Sequence, residues 1–292
     1  MKITKSNIII ALLIFVCVLG ITSFAERIQE KQQSIRTATI NKATAPFGVS
    51  IVIPAYNEEG RIERTLRRYH QFFTEKQQEG LLSFELVVVV NGSTDNTIGV
   101  VERVKNDLAT SAIVVHNLVE GGKGFAIKAG FMDALSRSND LIGFVDADMA
   151  TVPEAFYDLI VQMNGYDGTI ASRYMPGAQI YPPRPAYKRW GSRIFYEPIV
   201  NLLFGLSYYD FQCGAKIFKN YVLETVTPSL TVRQWGFDVE LLYLCKKAGY
   251  IIKEVPTVWH DQDDSKLTLF GGLRMLLDLF YLRFQHSLFS FF

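Results

Sequence analysis

Leu141-Ile142-Gly143-Phe144-Val145-Asp146-Ala147-Asp148 is the stretch on which the reading of this chain turns. Five apolar residues are followed at once by two carboxylates one residue apart. A short, unbroken apolar run of this kind reads as a strand buried on both faces. In open α/β sheets ligands bind outside the carboxyl ends of such strands. The two carboxylates would repel each other there without a counter-charge. A hard divalent cation with oxygen ligands resolves that repulsion. The same cation can neutralise charge on a departing diphosphate. The competing reading is plain: two acids that cap the helix beginning at Pro153.

Working outward, strands and helices alternate. Val49 to Ile53 reads as a strand stopped by Pro54, and Arg61 to Lys76 as a helix. Phe84 to Val90 and Ala112 to His116 read as further strands, with helices over Ile98 to Leu108 and Lys123 to Ser136. Pro153 to Met163 starts on proline, as helices often do, and Gly168 to Ser172 closes the series as a strand. This rhythm predicts an α/β fold, a mainly parallel Rossmann-like sheet with helices on both faces. The second half is less regular. Tyr181 to Pro185 reads as a proline-rich loop and Arg189 to Tyr209 as a helical stretch interrupted by Pro198. Phe237 to Ala248 reads as a helix and Ile251 to Val255 as a strand.

Three more strand-end loops accompany Asp146 and Asp148. Pro54-Ala55-Tyr56-Asn57-Glu58-Glu59 offers a ring, an amide and carboxylates that can stack on a base and bond its edge; alone it is an acidic helix start. Asn91-Gly92-Ser93-Thr94-Asp95-Asn96-Thr97 is a capped turn or a second wall of the same crevice. Gly121-Gly122-Lys123-Gly124 opens a helix. It lacks the Ser or Thr of a Walker loop, yet its backbone N–H groups and Lys123 suit an anion.

Together these motifs resemble the GT-A type inverting glycosyltransferases over residues 49 to 260. Within that group the chain looks like the dolichyl-phosphate glucosyltransferases and related polyprenyl-phosphate sugar transferases. The resemblance is carried by Gly122-Lys123-Gly124, Asp146-Ala147-Asp148-Met149-Ala150-Thr151, Ala171-Ser172-Arg173, Gln212-Cys213-Gly214-Ala215-Lys216-Ile217-Phe218 and Trp235-Gly236-Phe237-Asp238-Val239-Glu240-Leu241-Leu242. It implies transfer of glucose from UDP-glucose to a polyprenyl or dolichyl phosphate. It places Asn57, Glu58, Asp95 and Asp146 on the nucleoside and Asp148 on Mg2+ or Mn2+, with Asp146 beside it as the second metal acid. Pro54, Tyr56, Asn91 and Lys123 complete the expected donor side. Val90 and Asn91 stand where the family usually has two acids, so Asn91 takes over by amide hydrogen bonding. Met149 stands where glycine is common.

A lipid phosphate is already anionic at neutral pH and needs cations rather than a base. Arg173, Arg189, Arg193 and Lys266 are the candidates, since Arg matches phosphate geometry; each is equally readable as a surface or helix-pairing residue. Asp238 and Glu240 are structural or sugar-positioning for that acceptor, and Asp238 becomes the general base for a hydroxyl acceptor. His260 and Asp261 fall near the same edge with no assigned role. A GDP-mannose donor, a saccharide acceptor and a non-catalytic nucleotide-binding scaffold are the competing functions.

The two ends read as membrane-seeking. Ile8 to Ala25 is apolar apart from Thr22 and Ser23, near the ~20 residues that span a bilayer. A cleaved signal peptide is the other reading, given Lys2, Lys5 and the small residues near Ala25. The expected plan is an anchor over 1–25, a linker over 26–48, a catalytic domain over 49–262 and a membrane-associated helix over 263–292. Arg274, Asp278, Tyr281 and Gln285 recur at helical spacing in that last segment, which suits a helix lying in the interface; docking on the core or in a homo-oligomer is the alternative. The catalytic domain is expected on the cytosolic side of a membrane, the endoplasmic reticulum in a eukaryote or the inner membrane in a prokaryote. Lys plus Arg is 30 against 29 for Asp plus Glu, so the basic excess of a nucleic-acid binder is absent. Three scattered cysteines give no disulfide framework.

Overall fold

The computed structural model describes residues 47–183, 196–234, 236–262 and 278–286. The expected anchor and linker, Arg189, Arg193, Trp235, Lys266 and Arg274 lie outside these residues. In chain order the elements are β1 (Phe47–Ala55), α1 (Ile62–Gln78), β2 (Leu82–Asn91), α2 (Thr97–Asp107), β3 (Ile113–Leu118) and α3 (Lys123–Leu135). They continue with β4 (Leu141–Val145), α4 (Pro153–Val161), β5 (Gly168–Ser172), β6 (Gln179–Tyr181) and α5 (Glu197–Phe204). Then come β7 (Ala215–Lys219), α6 (Asn220–Val226), α7 (Phe237–Lys247), β8 (Ile252–Pro256) and β9 (Val258–His260). Residues 278–286 form a last helix, α8.

Seven strands make the main sheet in the order β3-β2-β1-β4-β7-β5-β8, and β6 pairs with β9 beside it. All neighbours in the main sheet are parallel except β7, which runs antiparallel between β4 and β5. The sequence reading had no strand at β7. Its run Ala215-Lys216-Ile217-Phe218 carries a lysine where a buried strand is expected to be apolar, and Lys216 is nonetheless fully buried. The placement matters because Ala215 pairs with Val145. The chain just before β7 therefore arrives at the same sheet edge as Asp146.

Helices α1, α2 and α4 cover one face of the sheet, and α3, α6 and α7 the other. The apolar stripe of α1, Ile62, Leu66, Tyr69 and Phe73, recurs at helical spacing and is buried. Tyr69 and Phe73 pack on Phe156 of α4. On the opposite face Phe131, Phe144 and Phe237 form one aromatic cluster. Each such buried ring contributes about 1.5–3 kcal/mol by removal from water. Gly130 lets α3 sit directly on β1: a Cβ there would lie 2.3 Å from a methyl of Val52.

Three expectations change. β1 does not stop at Pro54 but runs to Ala55, paired with β2 throughout. Its pairing with β4 ends at Val52, so the proline sits where the ladder is already open on one side. Pro198 lies in the first turn of α5, where a missing N–H costs nothing, and the helix ends at Gly205 in the left-handed conformation, φ 63°, short of the expected Tyr209; residues 189–195 of the expected stretch lie outside the described residues. Finally, α8 buries Leu279, Leu282 and His286 and exposes Phe280, Tyr281 and Phe284. Arg283 is exposed beside these aromatic side chains, and of the expected stripe Tyr281 is exposed while Asp278 and Gln285 are half-buried. No helix among the described residues is long and apolar enough to cross a membrane.

Candidate active site

The loops at the carboxyl ends of β1, β2 and β4 and the segments around Arg173, Gln212, Gln234 and Asp261 line one cavity of about 670 Å³. At its floor Lys123 Nζ lies 2.6 Å from Asp146 Oδ1. Burial alone would lower the Lys123 pKa, but the charges of Asp146 and Asp238 outweigh it and the net shift is upward. The lysine is a fixed cation. Asp148 accepts a hydrogen bond from Ala150 N at 2.9 Å. Burial and the neighbouring Asp146 charge push its carboxyl up to about 6. Two crowded carboxylates with one lysine between them leave negative charge in excess.

Asp146 is held from the far side by the chain preceding β7. Its N–H donates to Gly214 O at 2.9 Å. A Cβ on Gly214 would lie 1.8 Å from Asp146 Oδ2, so only glycine lets the two segments meet. The residues after Asp148 are pinned to β9, with His260 N donating to Ala150 O and a bridge between Thr151 and Trp259.

The opposite wall centres on Arg173. Its Nε and Nη2 close on the two carboxylate oxygens of Asp210 at 2.7 and 2.8 Å, and its backbone N–H bonds the same acid at 3.0 Å. The guanidinium also stacks over Trp259 at 4.9 Å. Burial would raise the Asp210 carboxyl, but Arg173 wins and holds it below the usual range. Behind this wall, fully buried Lys216 bonds Asp238 and the Cys213 carbonyl.

Residues 50–226 match the profile of glycosyl transferase family 2. The chain belongs to that family. A relative described as dolichyl-phosphate beta-glucosyltransferase from Dictyostelium discoideum is 31% identical, covering 82% of this chain and 75% of its own. One of the same description from Drosophila melanogaster is 31% identical, covering 87% and 82%. The crystal structure of glucosyl-3-phosphoglycerate synthase from Mycobacterium tuberculosis, in complex with Mn2+, UDP and glucosyl-3-phosphoglycerate, superposes with a TM-score of 0.59. It is 18% identical and the match covers 81% of this chain and 78% of that one, so it speaks for the GT-A fold. The expected resemblance is thus established: the chain is a glycosyltransferase of the GT-A type.

Of the residues expected at the site, Pro54, Tyr56, Glu58, Asn91, Lys123, Asp146, Asp148, Arg173 and Asp238 line the cavity. Asn57 and Asp95 do not. Asn57 takes a left-handed turn, φ 51°. It accepts from Thr94 N at 2.8 Å while its own N–H donates to Ser93 Oγ. Asp95 accepts from Glu59 N and Thr97 N. Both are spent on sewing the first loop to the second, because their short side chains satisfy the turn N–H groups that the sheet leaves open. Asn91 is also a staple in the amide orientation that satisfies both its ends: its nitrogen then donates to Ala55 O at 3.0 Å and its oxygen accepts from Gly122 N at 3.1 Å.

Arg173 needs a similar correction. The fork expected to receive a phosphate is already closed on Asp210. The sequence carried one signal for this, a lone acid in the aromatic run Tyr208-Tyr209-Asp210-Phe211, which requires a partner if buried. Arg61, Gln212, Gln234, Trp259 and Gln262 also line the cavity and carried no assigned role, although Gln212 stood in a quoted motif. His260 stacks on Tyr181 at 5.9 Å, while Asp261 reaches the cavity.

No group of three or more His, Cys, Asp and Glu side chains suited to a metal occurs among the described residues. The protein offers two hard oxygen donors, Asp146 and Asp148, side by side in the lining of the cavity. That donor set fits a Mg2+ or Mn2+ ion that completes its shell with donor phosphates and water.

Proposed function

We propose that this chain transfers glucose from UDP-glucose to a polyprenyl phosphate of the dolichyl type, with inversion at the anomeric carbon. The observation that carries the reading is the Lys123–Asp146 pair beside Asp148 at the floor of the cavity. It makes one end of the site a receptor for a metal-bound diphosphate. The sugar and the lipid are supported by the relatives, whose printed descriptions name both and which match most of the chain.

Asp146 and Asp148 would hold a divalent ion, which when bound would supply positive charge to the leaving diphosphate. Lys123 orients Asp146 through their 2.6 Å ion pair. Gly121 and Gly122, opening α3, line the same end of the cavity. Tyr56, half exposed at the rim, offers its ring to the base, and Glu58 is held by Arg61 through two bonds of 2.7 and 2.9 Å. Asp146, Asp148, Lys123, Tyr56, Glu58 and Pro54 thus form the donor half. On the acceptor side Arg173, neutralised by Asp210 and braced by Trp259, acts as a rigid wall. Direct phosphate contacts are assigned to Arg189, Arg193 and Lys266. A saccharide acceptor would need a carboxylate base, and Asp238 is engaged by the buried Lys216 ammonium. That engagement favours the phosphate, which needs no base.

The proposed plan keeps residues 1–25 as a membrane anchor, 26–48 as a linker, 49–262 as the catalytic domain and 263–292 as a membrane-associated segment, with the catalytic domain facing the cytosol. The exposed Phe280, Tyr281 and Phe284 of α8 support contact with a lipid interface.

The test uses membranes carrying the full chain, polyprenyl phosphate, Mg2+ or Mn2+, and either UDP-glucose or GDP-mannose. Glucolipid formation from UDP-glucose is expected. Product from GDP-mannose alone, or transfer only to a saccharide hydroxyl, would overturn the proposal.

A further inference from the structure

The reaction as described leaves Glu240 unused. This residue lies on α7 and is fully buried. A buried carboxylate is costly unless its lone pairs are satisfied. Here they are satisfied by two separate parts of the molecule. Thr231 N donates to both oxygens at 3.0 and 2.9 Å, Thr231 Oγ1 donates at 2.7 Å and Val232 N at 2.8 Å. The remaining partner is His286 of α8, whose Nε2 lies 3.1 Å from Oε1.

The loop that Glu240 grips, residues 231–234, has no regular secondary structure. Thr231 and Arg233 are exposed, so little apolar packing holds it in place. Yet it forms the seat of the glycine-rich turn. Arg233 O accepts from Phe125 N at 3.2 Å. A Cβ on Gly122 would lie 2.5 Å from Arg233 O, and one on Gly124 would lie 2.5 Å from Val232 O. The Arg233 side chain pairs with Glu120 and stacks over Phe125 at 4.4 Å. Gln234, at the end of the loop, lines the cavity. The start of α3, and with it the reach of Lys123 to Asp146, rests on this loop.

At its other end the clamp is fastened to α8. His286 packs on Tyr243 at 5.7 Å between ring centres, and Thr231 Oγ1 lies 3.2 Å from Gln285 Oε1. We infer that Glu240 is a positioning residue for the donor half of the site, and that His286 completes its clamp from the C-terminal helix. Glu240 and His286 touch no substrate. They act by holding the loop 231–234 against Gly122 and Gly124.

The substrate part of this inference rests on the donor reading above, but its structural part does not, and the experiment separates them. Amide hydrogen exchange is measured on the full-length protein with His286→Leu, His286→Gln and Glu240→Gln. The donor KM and kcat are read in parallel with UDP-glucose. In Glu240→Gln the new amide donor faces the backbone donors Thr231 N and Val232 N. His286→Leu removes the ring donor while keeping an apolar filling, and His286→Gln restores a donor.

His286→Leu and Glu240→Gln should lower protection of the Thr231, Val232 and Phe125 amides by about tenfold or more, the size expected for one hydrogen bond to a charged group. Protection in β1 and β4 should stay as it was. Donor KM should rise about tenfold with kcat changed less than threefold, and His286→Gln should recover most of both. Exchange that rises uniformly through the sheet would show a merely structural role and overturn the inference. Exchange confined to α8, with loop and KM unchanged, would overturn it too. If the unsubstituted protein does not turn over UDP-glucose, the donor reading falls, while the exchange pattern still decides the clamp.

Discussion

The two walls of the cavity are built in opposite ways. The donor wall, from β1, β2 and β4, is assembled by neighbouring loops that share short polar bonds. Across the seam Asn57 accepts from Thr94 N, Glu59 from Asn96 N, Asp95 from Glu59 N and Thr97 Oγ1 from Glu58 N. The opposite wall, around β5, β7 and α7, is assembled by buried ion pairs, Arg173 with Asp210 and Lys216 with Asp238. Many weak, partly exposed bonds tolerate single losses. A buried pair does not, because removing one partner strands a charge in a low dielectric. The donor wall is therefore expected to bend where the other breaks, except at Asp146 and Asp148, the two acids proposed to meet the metal and phosphates.

The largest effect is expected at that exception. Asp148→Ala should lower turnover by about a thousandfold or more, in the range found when charge stabilisation is removed from a reacting centre. Its melting temperature should stay within a few degrees, since Asp148 takes one backbone bond and no ion pair in the core. Full activity in a sugar-transfer assay would sink the metal assignment.

Gly214→Ala tests whether the two walls are truly joined. Its Cβ would collide with the Asp146 carboxylate, so Asp146 must move off Lys123. Activity should fall about a hundredfold, in line with the cost of misplacing a group at a reacting centre. A change of less than twofold in kcat/KM would show that Asp146 has room to spare.

Asp210→Ala leaves Arg173 buried and unpaired, and should cost about 3–5 kcal/mol of stability in denaturant titrations. The pH dependence has a definite sign. Arg173 holds the folded Asp210 carboxyl below its unfolded value. The pair therefore contributes stability at pH above the unfolded carboxylate range, about 3.9, and loses it as pH falls through the lower, folded value. Asp210→Asn should flatten this acid limb. An acid limb identical to that of the unsubstituted protein would show that another carboxylate governs it.

The smallest effect belongs to the seam. Asn57→Ala removes the acceptor for Thr94 N and forces alanine into a left-handed conformation. It should cost about 1–2 kcal/mol in melting studies, with donor KM raised only a few-fold. Asn57→Gly should recover part of the loss, because glycine accepts that conformation freely. Equal losses in the two variants would place the whole effect in the hydrogen bond.

The same contrast explains how much was legible in the chain itself. Strands β2 and β4 were readable from the apolar runs Leu86 to Val90 and Leu141 to Val145, β1 and β5 from shorter strand-like stretches in the alternation with helices, and the loops that follow them from acids, glycines and turn residues. Each of those signals lies within a few residues of its consequence. β7 was not readable as a strand, because Lys216 interrupts its apolar run and becomes acceptable only once Asp238, 22 residues away, folds back onto it. Asp210 likewise gains meaning only from Arg173, 37 residues earlier.

What the sequence determined alone was local and periodic. It set the βα rhythm, the strand-end position of Asp146 and Asp148, and the resemblance that placed the chain among the glycosyltransferases. Side-chain alternation and turn chemistry are enforced within a few residues of where they are written, which is why they can be read there. Only the tertiary structure decided which charges meet. It turned Asn57, Asp95 and Asn91 into staples and closed Arg173 on Asp210. It also brought Gly214 against Asp146 and hung a rim loop from Glu240. Those choices follow from burial: a charge taken out of water must find a partner, and the reversed strand β7 carries distant residues to the edge where Asp146 waits.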